Sequence, residues 1–249
     1  MLILLPPSET KRRGGRRRPL TIDALRFPEL TAPREAVVEA VVALSADPAE
    51  AARVLRLSPR QLSEIDDNAR MRSAPTLPAV DRYTGVLYDA LGADTLDAAA
   101  RRWLGSHVCI QSAPFGLVGA LDALPPYRLA AGTSLPGLPA LRRVWADAVA
   151  AAIENAAPSF VLDLRSEAYA ALGPVPPTID SAYVRVVSDG ADGVSRALNH
   201  FNKHAKGELV RRLALSRPRV ASLAALRRWA ASTGVSMRDG APGEIDLVV

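Results

Sequence analysis

The amino-acid sequence predicts a mixed α/β protein, and both its composition and its hydrophobic pattern support this class. Of the 249 residues, 49% are hydrophobic, so the chain can bury a substantial core. Short apolar runs typical of buried strands interleave with longer amphipathic segments typical of helices, without a regular β-α-β period. Since no internal repeat divides the sequence, we expect a single domain over residues 1–249.

The predicted strands are short and apolar. The first covers residues 2–5 and ends at Pro6-Pro7, because proline cannot donate a backbone hydrogen bond to a sheet. The others are predicted at residues 108–111, 160–164, 183–187, 235–237 and 244–249.

The predicted helices include a helical insertion at about 33–72. Its three helices cover residues 33–44, 47–55 and 58–71, and the last two begin with Asp-Pro and Ser-Pro, which favour helix starts. Further helices are predicted at residues 83–91, 95–104, 138–155, 167–172, 194–215 and 222–231. The stretch 114–139 is rich in proline and glycine and includes Pro125-Pro126-Tyr127-Arg128.

Composition narrows the setting of the protein. The net charge of +5 is compatible with nucleic acid or with phosphorylated ligands. Cys109, the only cysteine, lies in an apolar strand, so we expect it to be buried and the compartment to be reducing. No apolar run approaches the roughly 20 residues that span a bilayer, and the N-terminal run is too short for a signal peptide. We therefore expect a cytoplasmic protein without a membrane partner.

Lysine is rare in this chain, which has only Lys11, Lys203 and Lys206 among its 31 basic residues. An ammonium group is compact and has a tunable pKa, and arginine replaces it poorly at phosphate or Schiff-base sites. We therefore expect the three lysines to mark a functional anion-binding site. The alternative is a chance placement on the solvated surface.

The loop after the first strand is strongly basic. Residues 8–18 contain six positive charges, one negative charge and the pair Gly14-Gly15. A strand that leads into such a loop can cradle phosphate through backbone N–H groups and side-chain charge, although the loop is not a Walker A motif. Within it we favour Ser8, Glu9, Lys11 and Arg12 as site residues, and we expect residues 16–18 to be a solvated arm.

The segment around Lys203 and Lys206 is predicted to be helical, with both lysines and Asn199 on one face. His200 and His204 have the spacing of a metal-binding pair, but further ligands are missing. We therefore predict no metal and no cofactor.

Two other segments carry candidate charges. Arg128 follows Pro125-Pro126, which fixes its direction, and Asp122 could pair with it. Asp163 and Glu167 flank the end of a predicted strand, where polar groups often face a ligand crevice. Capping of the next helix by Ser166 explains that segment equally well.

Several blocks of the sequence resemble the YaaA family of bacterial peroxide-stress proteins. The most specific is Leu-Leu-Pro-Pro-Ser-Glu-Thr-Lys, which ends at Lys11 and is followed by Gly14-Gly15. The other blocks are residues 82–88, 116–129, Trp145, 162–169 and 204–207 with Arg211. The resemblance implies a single compact domain of unusual topology, a basic cleft and DNA binding aided by a helix-hairpin-helix in residues 35–72. In this chain, residues 57–60 would be the turn and 61–70 the second helix, without the Gly-x-Gly of that motif.

Two functions follow from these features. The first is a DNA-binding peroxide-stress protein that limits oxidative DNA damage and contacts phosphates. The second is an enzyme that acts on a nucleobase, nucleoside or nucleotide through carboxylate and lysine chemistry. A specialised biosynthetic role and a regulatory role without catalysis remain open. The anion-binding candidates are Ser8, Lys11, Arg12, Arg128, Lys203, Lys206 and Arg211, and the catalytic candidates are Glu9, Lys11, Asp163, Glu167 and Lys203.

Overall fold

The protein has a mixed α/β fold, as the sequence predicts. A computed structural model describes residues 1–188 and 198–249, and the side chains of residues 198–200 are outside that description. The strands are β1 (Leu2–Leu5), β2 (Leu77–Pro78), β3 (Val108–Ser112), β4 (Gly116–Gly119), β5 (Ala123–Leu124), β6 (Val161–Asp163), β7 (Ser181–Val187), β8 (Met237–Asp239) and β9 (Glu244–Val248).

Seven of these strands form one sheet in the order β4-β3-β1-β6-β7-β9-β8. The five central strands are parallel, and β4 and β8 join the edges antiparallel. β2 and β5 form a separate antiparallel pair. Because β1 and β3 are buried along their whole length, they read as continuous apolar runs rather than as alternating ones. Cys109 lies in β3 and is fully buried, as predicted.

The helices cover the sheet and its carboxyl edge. They are α1 (Thr31–Leu44), α2 (Pro48–Val54), α3 (Glu64–Ala69), α4 (Ala79–Arg82), α5 (Val86–Leu91), α6 (Ala98–His107), α7 (Leu141–Ala156), α8 (Glu167–Ala170), α9 (Leu198–Ser216) and α10 (Leu223–Ser232). Of the predicted helix 194–215, residues 194–197 lie outside the described residues. No helix within the described ranges is long and apolar enough to cross a membrane.

Two predicted helix boundaries are wrong, each for a local reason. Residues 58–71 do not form one helix, because a 3-10 turn at Pro59–Gln61, closed by a capping box, precedes α3. The helix predicted at 83–91 starts only at Val86, since Gly85 has a φ of +94° that a helix cannot contain. The proline- and glycine-rich stretch 114–139 also contains β4 and β5, which are not among the predicted strands.

Helix α9 is fixed to the body of the protein through α5. Gly207 of α9 meets the backbone of α5 so closely that an added Cβ atom would overlap the carbonyl oxygen of Leu87. The hydroxyl of Tyr88, also in α5, donates a hydrogen bond to the carbonyl of Pro6 at 2.7 Å. Helix α5 therefore connects α9 to the loop that follows β1.

We predict that Gly207→Ala destabilises the protein by about 1–3 kcal/mol, because a backbone carbonyl cannot move aside as a side chain can. This cost exceeds the gain of about 1 kcal/mol from the higher helix propensity of alanine. In a chain of this size, Tm should fall by about 2–4 °C for each kcal/mol. Gly132→Ala is the control, since nothing lies within 4 Å of the added methyl group. An equal Tm for both variants would contradict the close packing of α5 and α9.

Candidate functional site

The candidate site lies at the point in the sheet where the strand order changes direction, between β1 and β6. From β1 the chain next joins this sheet at β3, on one side, whereas from β6 it continues to β7 on the other. β1 and β6 are parallel neighbours, with Leu4 opposite Asp163. In open α/β sheets, ligands bind outside the carboxyl ends of two such strands. The loops at residues 6–18 and 164–166 begin at this edge.

Lys11 is held against the loop that carries it and against two aromatic rings. Its Nζ donates hydrogen bonds to the carbonyl oxygens of Ser8 at 3.1 Å and Glu9 at 3.2 Å. The same nitrogen lies 4.1 Å from the ring centroid of Tyr127 and 5.6 Å from that of Tyr83. Lys11 and Tyr83 also pair through an isolated antiparallel bridge, which fixes the backbone of this loop.

The tyrosines beneath Lys11 form a buried hydrogen-bonded group. The hydroxyls of Tyr83 and Tyr127 lie 2.7 Å apart, and Ser112, at the end of β3, lies 3.0 Å from the hydroxyl of Tyr127. Burial raises the pKa values of both tyrosines well above their usual range, so both stay neutral. Burial likewise raises the pKa of nearby Tyr169 to about 12. A neutral apolar platform therefore faces Lys11.

Arg128 lies between two carboxylates beside Lys11. Its Nη2 is 3.4 Å from Glu9 Oε2, and its Nε is 3.5 Å from Glu64 Oε2. The side chain of Asn68 holds the backbone of Arg128 through two hydrogen bonds, of 2.7 and 2.9 Å. The predicted pair of Arg128 with Asp122 is wrong, since Asp122 instead accepts hydrogen bonds from two backbone N–H groups, each at 2.8 Å.

This environment changes the chemistry of the Lys11 amine. Burial, followed in size by the positive charge of Arg128, lowers the pKa of Lys11 from 10.5 to about 7. A large fraction of the side chain is then neutral at physiological pH, and a neutral amine can act as a nucleophile or as a general base. Strongly shifted groups of this kind cluster at functional sites.

Lys206 reaches the same edge of the sheet from α9. Its Nζ donates a 3.0 Å hydrogen bond to the carbonyl of Leu164, which directly follows β6. Burial lowers the pKa of Lys206 to about 8. Lys203, one turn earlier, is exposed. The three lysines therefore differ in setting: Lys11 and Lys206 lie at the ends of adjacent strands, whereas Lys203 points to solvent.

The two carboxylates near the end of β6 have separate surroundings. Asp163 forms two hydrogen bonds, of 2.7 and 2.9 Å, with the guanidinium of fully buried Arg165. Glu167 is exposed and lies 3.7 Å from Arg185. Ser166 does not cap α8, because its side chain makes no capping hydrogen bond. Asp163 thus fixes Arg165 and the turn after β6.

The basic loop is tied down along its length, which differs from the predicted solvated arm. The backbone N–H of Arg12 donates a hydrogen bond to the carbonyl of buried Arg82. The carbonyl of Arg12 accepts another from the guanidinium of Arg82. Gly15 approaches the backbone of Pro75 so closely that a Cβ atom there would lie 2.6 Å from the carbonyl. The N–H groups of Arg16 and Arg17 donate to the carbonyl of Thr76 at 3.2 Å. The side chains of the five loop arginines are nevertheless exposed: Arg12, Arg13, Arg16, Arg17 and Arg18.

Two other predicted residues lie away from this edge. Arg211 donates hydrogen bonds to the carbonyls of Leu91 and Gly92, at 2.9 and 3.1 Å, and so closes the end of α5. His204 is exposed and lies 3.7 Å from Glu208. The side chain of His200 is outside the described residues. Within the described part of the chain, no group of three or more His, Cys, Asp or Glu side chains could hold a metal.

Sequence reasoning missed the residues that give Lys11 its setting. Glu64 lies inside a predicted helix and carries no signal of its own, and Arg82 and Tyr83 stand out only as part of a family block. The available signal is weak, since the five tyrosines are spread over about a hundred residues, from Tyr83 to Tyr183. Their convergence depends on the crossings of the sheet, which a linear pattern does not reveal.

The fold and this edge define an α/β protein with lysine and arginine side chains beside a candidate site at a strand switch point. The family model for peroxide stress protein YaaA matches residues 1–236, so the chain belongs to that family. A UPF0246 protein of Corynebacterium efficiens is 45% identical over 257 residues, covering all of both chains. A UPF0246 protein of Streptomyces coelicolor is 43% identical over 219 residues, covering 86% of this chain and 82% of its own.

We predict that Lys11→Met flattens the dependence of stability on pH. Because the pKa of Lys11 is lowered on folding, the unfolded chain holds this proton from about pH 7 up to about 10.5, and stability rises with pH across that window. Below pH 7 the folded protein also holds this proton, so the cost of burying the charged Lys11 ammonium group lowers its stability in full. The variant should therefore be more stable than the parent at pH 6.

Urea unfolding from pH 6 to pH 10 measures this effect. The rise in stability should shrink by roughly half, with Lys206 supplying much of the remainder. Lys203→Met is the matched control, since its side chain is exposed. Parallel pH profiles for the parent and Lys11→Met would show that Lys11 is not buried as described.

Proposed function

We propose that the protein binds DNA phosphates through a basic cleft beside the sheet edge and so limits oxidative DNA damage in the cytoplasm. The observation that carries this proposal is the fixed arginine loop. The guanidinium groups of Arg12, Arg16 and Arg18 make no hydrogen bond or ion pair with any described side chain or backbone group. Unpaired cations on a fixed backbone suit phosphate contacts, which supply most non-specific affinity for DNA.

The loop also borders a surface groove. A cavity of about 470 Å³ is lined by Arg16, Arg17 and Arg18 together with residues of the following segment, which are apolar except for Thr21, and with Ala123. Arg17 is oriented by a 3.2 Å hydrogen bond to the carbonyl of Leu121. Several arginines along one groove can follow a phosphate backbone without reading base sequence.

We further propose that the hairpin between α2 and α3 assists through side chains. Its turn lacks the glycines that let a backbone approach phosphate closely, so backbone N–H contacts are disfavoured. Arg56 and Arg60 are exposed in this turn instead. The description of the family as peroxide stress proteins supports a protective role, in which the bound protein covers DNA and restricts the access of oxidants to it.

The salt dependence of DNA binding tests this proposal. For the double variant R16A/R18A, we expect the slope of log K against log salt concentration to fall by about 0.9 for each phosphate that the protein no longer neutralises. Affinity should fall alike for unrelated sequences, because phosphate contacts carry no base information. Fluorescence anisotropy with short duplexes from about 50 mM to 200 mM salt measures both quantities.

The control is R142A/R143A, which removes the same charge from exposed positions of α7. It should retain most of the slope. An equal decrease in the two double variants would show that only net charge matters and would contradict a specific role for the loop.

A second candidate function is an enzyme that acts on a nucleobase, nucleoside or nucleotide. The specific observation in its favour is the Lys11 amine, whose pKa is lowered to about 7 beside Glu9 and Arg128. Such an amine suits covalent or general-base catalysis, whereas a purely phosphate-binding lysine works best fully charged.

Chromatography of nucleosides and nucleotides incubated with the protein tests this second function. Turnover should disappear in Lys11→Met and persist in Lys203→Met, because Lys11 is enclosed beside Tyr127 and Tyr83 whereas Lys203 is exposed. Turnover that survives in Lys11→Met would exclude the Lys11 amine as the reacting group.

A further inference from the structure

We propose that Lys11 forms a Schiff base with the aldehyde of a phosphate-bearing sugar, whose phosphate lies in a neighbouring groove lined by Arg53, Arg56 and Arg128. This inference rests on the second candidate function and deepens it by naming the reacting atom and the substrate class. The sugar phosphate has two possible sources, a free metabolite or an abasic nucleotide within DNA, and both present the same chemistry.

The groove lies between the end of α2 and the segment after Arg128. Its volume is about 610 Å³, within the usual range for small-molecule sites. One wall is formed by residues 53–56 and the other by residues 128–136, including the hydroxyl side chains Thr133 and Ser134. Arginine binds phosphate through charge-assisted hydrogen bonds, and because the guanidinium of Arg53 is already bound to Glu50, Arg56 and Arg128 would supply them, with the two hydroxyls as further donors.

Arg56 occupies a backbone conformation that favours glycine. It follows α2 with a φ of +52°, in the left-handed region where an arginine is strained. Arg217, after α9, has a similar φ of +50°, but it lies 3.9 Å from Asp97. The Arg56 side chain has no hydrogen-bond or ion-pair partner in the described part of the chain. Backbone strain at Arg56 that no contact within the protein explains points to a ligand as the partner of its side chain.

Arg128 joins the groove to Lys11. It lines the groove, and its Nη2 lies 3.4 Å from the carboxylate of Glu9. The carbonyl of the same Glu9 accepts the hydrogen bond from Lys11 Nζ at 3.2 Å. A phosphate held by Arg56 and Arg128 would therefore direct the remainder of a small sugar toward Lys11.

The covalent step needs no additional reactant. The neutral Nζ attacks the aldehyde carbon, and one amine proton moves to the former carbonyl oxygen to give the carbinolamine. The C–O bond then breaks, and the hydroxyl leaves as water with the second amine proton, so that both hydrogens of the water come from the amine. Glu64 is suited to carry a proton in this step, because its Oε2 is buried and, although it lies 3.5 Å from Arg128 Nε, accepts no hydrogen bond from the described residues. The product is an imine between Nζ and the sugar, and hydrolysis reverses it.

Lys11 fits this role better than the other two lysines. Lys203 is exposed, so its amine has no enclosed neighbourhood. Lys11 and Lys206 both lie outside the groove lining, but Lys206 donates its hydrogen bond to the carbonyl of Leu164 and lies 5.4 Å from the ring of Tyr183. Among the three lysines, only Lys11 is linked to a groove arginine, because Lys11 and Arg128 both contact Glu9.

Reductive trapping tests the proposal. The full chain is incubated with sodium cyanoborohydride in three separate reactions. Each reaction also contains one aldehyde source: ribose 5-phosphate, ribose or a duplex that contains one abasic site. Intact mass and peptide mapping then locate the adduct. We expect ribose 5-phosphate to label Lys11 at least tenfold faster than ribose. Labelling of the abasic duplex identifies DNA as a source, whereas labelling by ribose 5-phosphate alone identifies a free metabolite.

Substitutions separate the two parts of the proposal. Lys11→Met should abolish the adduct, and Lys203→Met should keep it. Arg56→Gly relieves strain and removes the cation, so labelling by ribose 5-phosphate should fall about tenfold while labelling by ribose stays constant. Arg217→Gly relieves similar strain and should change neither rate.

Peptide mapping on the unmodified sequence keeps the test valid even if Lys11→Met fails to fold. An adduct on Lys203 or on the N-terminal amine, with Lys11 unlabelled, overturns the proposal, and so does equal labelling by ribose and ribose 5-phosphate. Ribose 5-phosphate does not depend on DNA, so failure of DNA binding leaves this result unaffected. An adduct without turnover of any nucleotide would retain the Schiff base and reject the proposed enzyme.

Discussion

Strand β1 lies between β3 and β6, and its parallel hydrogen bonds on both edges determine where the loops of the candidate site begin. The N–H of Leu164 donates to the carbonyl of Leu4 at 2.9 Å, so the turn after β6 starts beside the end of β1. Lys206 binds the carbonyl of that same Leu164, and the loop after β1 carries Lys11. Without this pairing, segments from opposite ends of the chain would have no common edge.

The second constraint is the cost of burying an ammonium group. Desolvation penalises a charged lysine, and the tyrosine rings offset only part of that cost through cation–π attraction. Two carbonyl acceptors satisfy N–H groups of Lys11, and the nearby Glu9 and Glu64 raise its pKa without cancelling the effect of burial and Arg128. The outcome is an amine with a pKa near 7 at the kind of sheet edge where open α/β proteins bind ligands. This property distinguishes Lys11 from the many arginines, which stay charged in every setting.

Much of the fold could be predicted from the sequence, because buried strands and capped helices leave local patterns. The predicted strands agree with β1, β3, β6 and β7 to within two residues at each end. The short strands β4 and β5 are not predicted, since glycine and proline mask such short runs. The rarity of lysine points to Lys11 and Lys206, but not to the tyrosine platform or to Glu64. Those contacts join residues far apart in the chain and depend on strand order, for which the sequence carries no local signal.

The pKa of Lys11 tests the central claim most directly. Because the chain has only three lysines, their side-chain ε-carbon NMR signals can be assigned by substituting them one at a time and followed as a function of pH. A midpoint near 7 for the Lys11 signal is the predicted result, caused first by burial and then by Arg128. A midpoint at the ordinary value of 10.5 would show a solvated ammonium group and would contradict the site described for this edge.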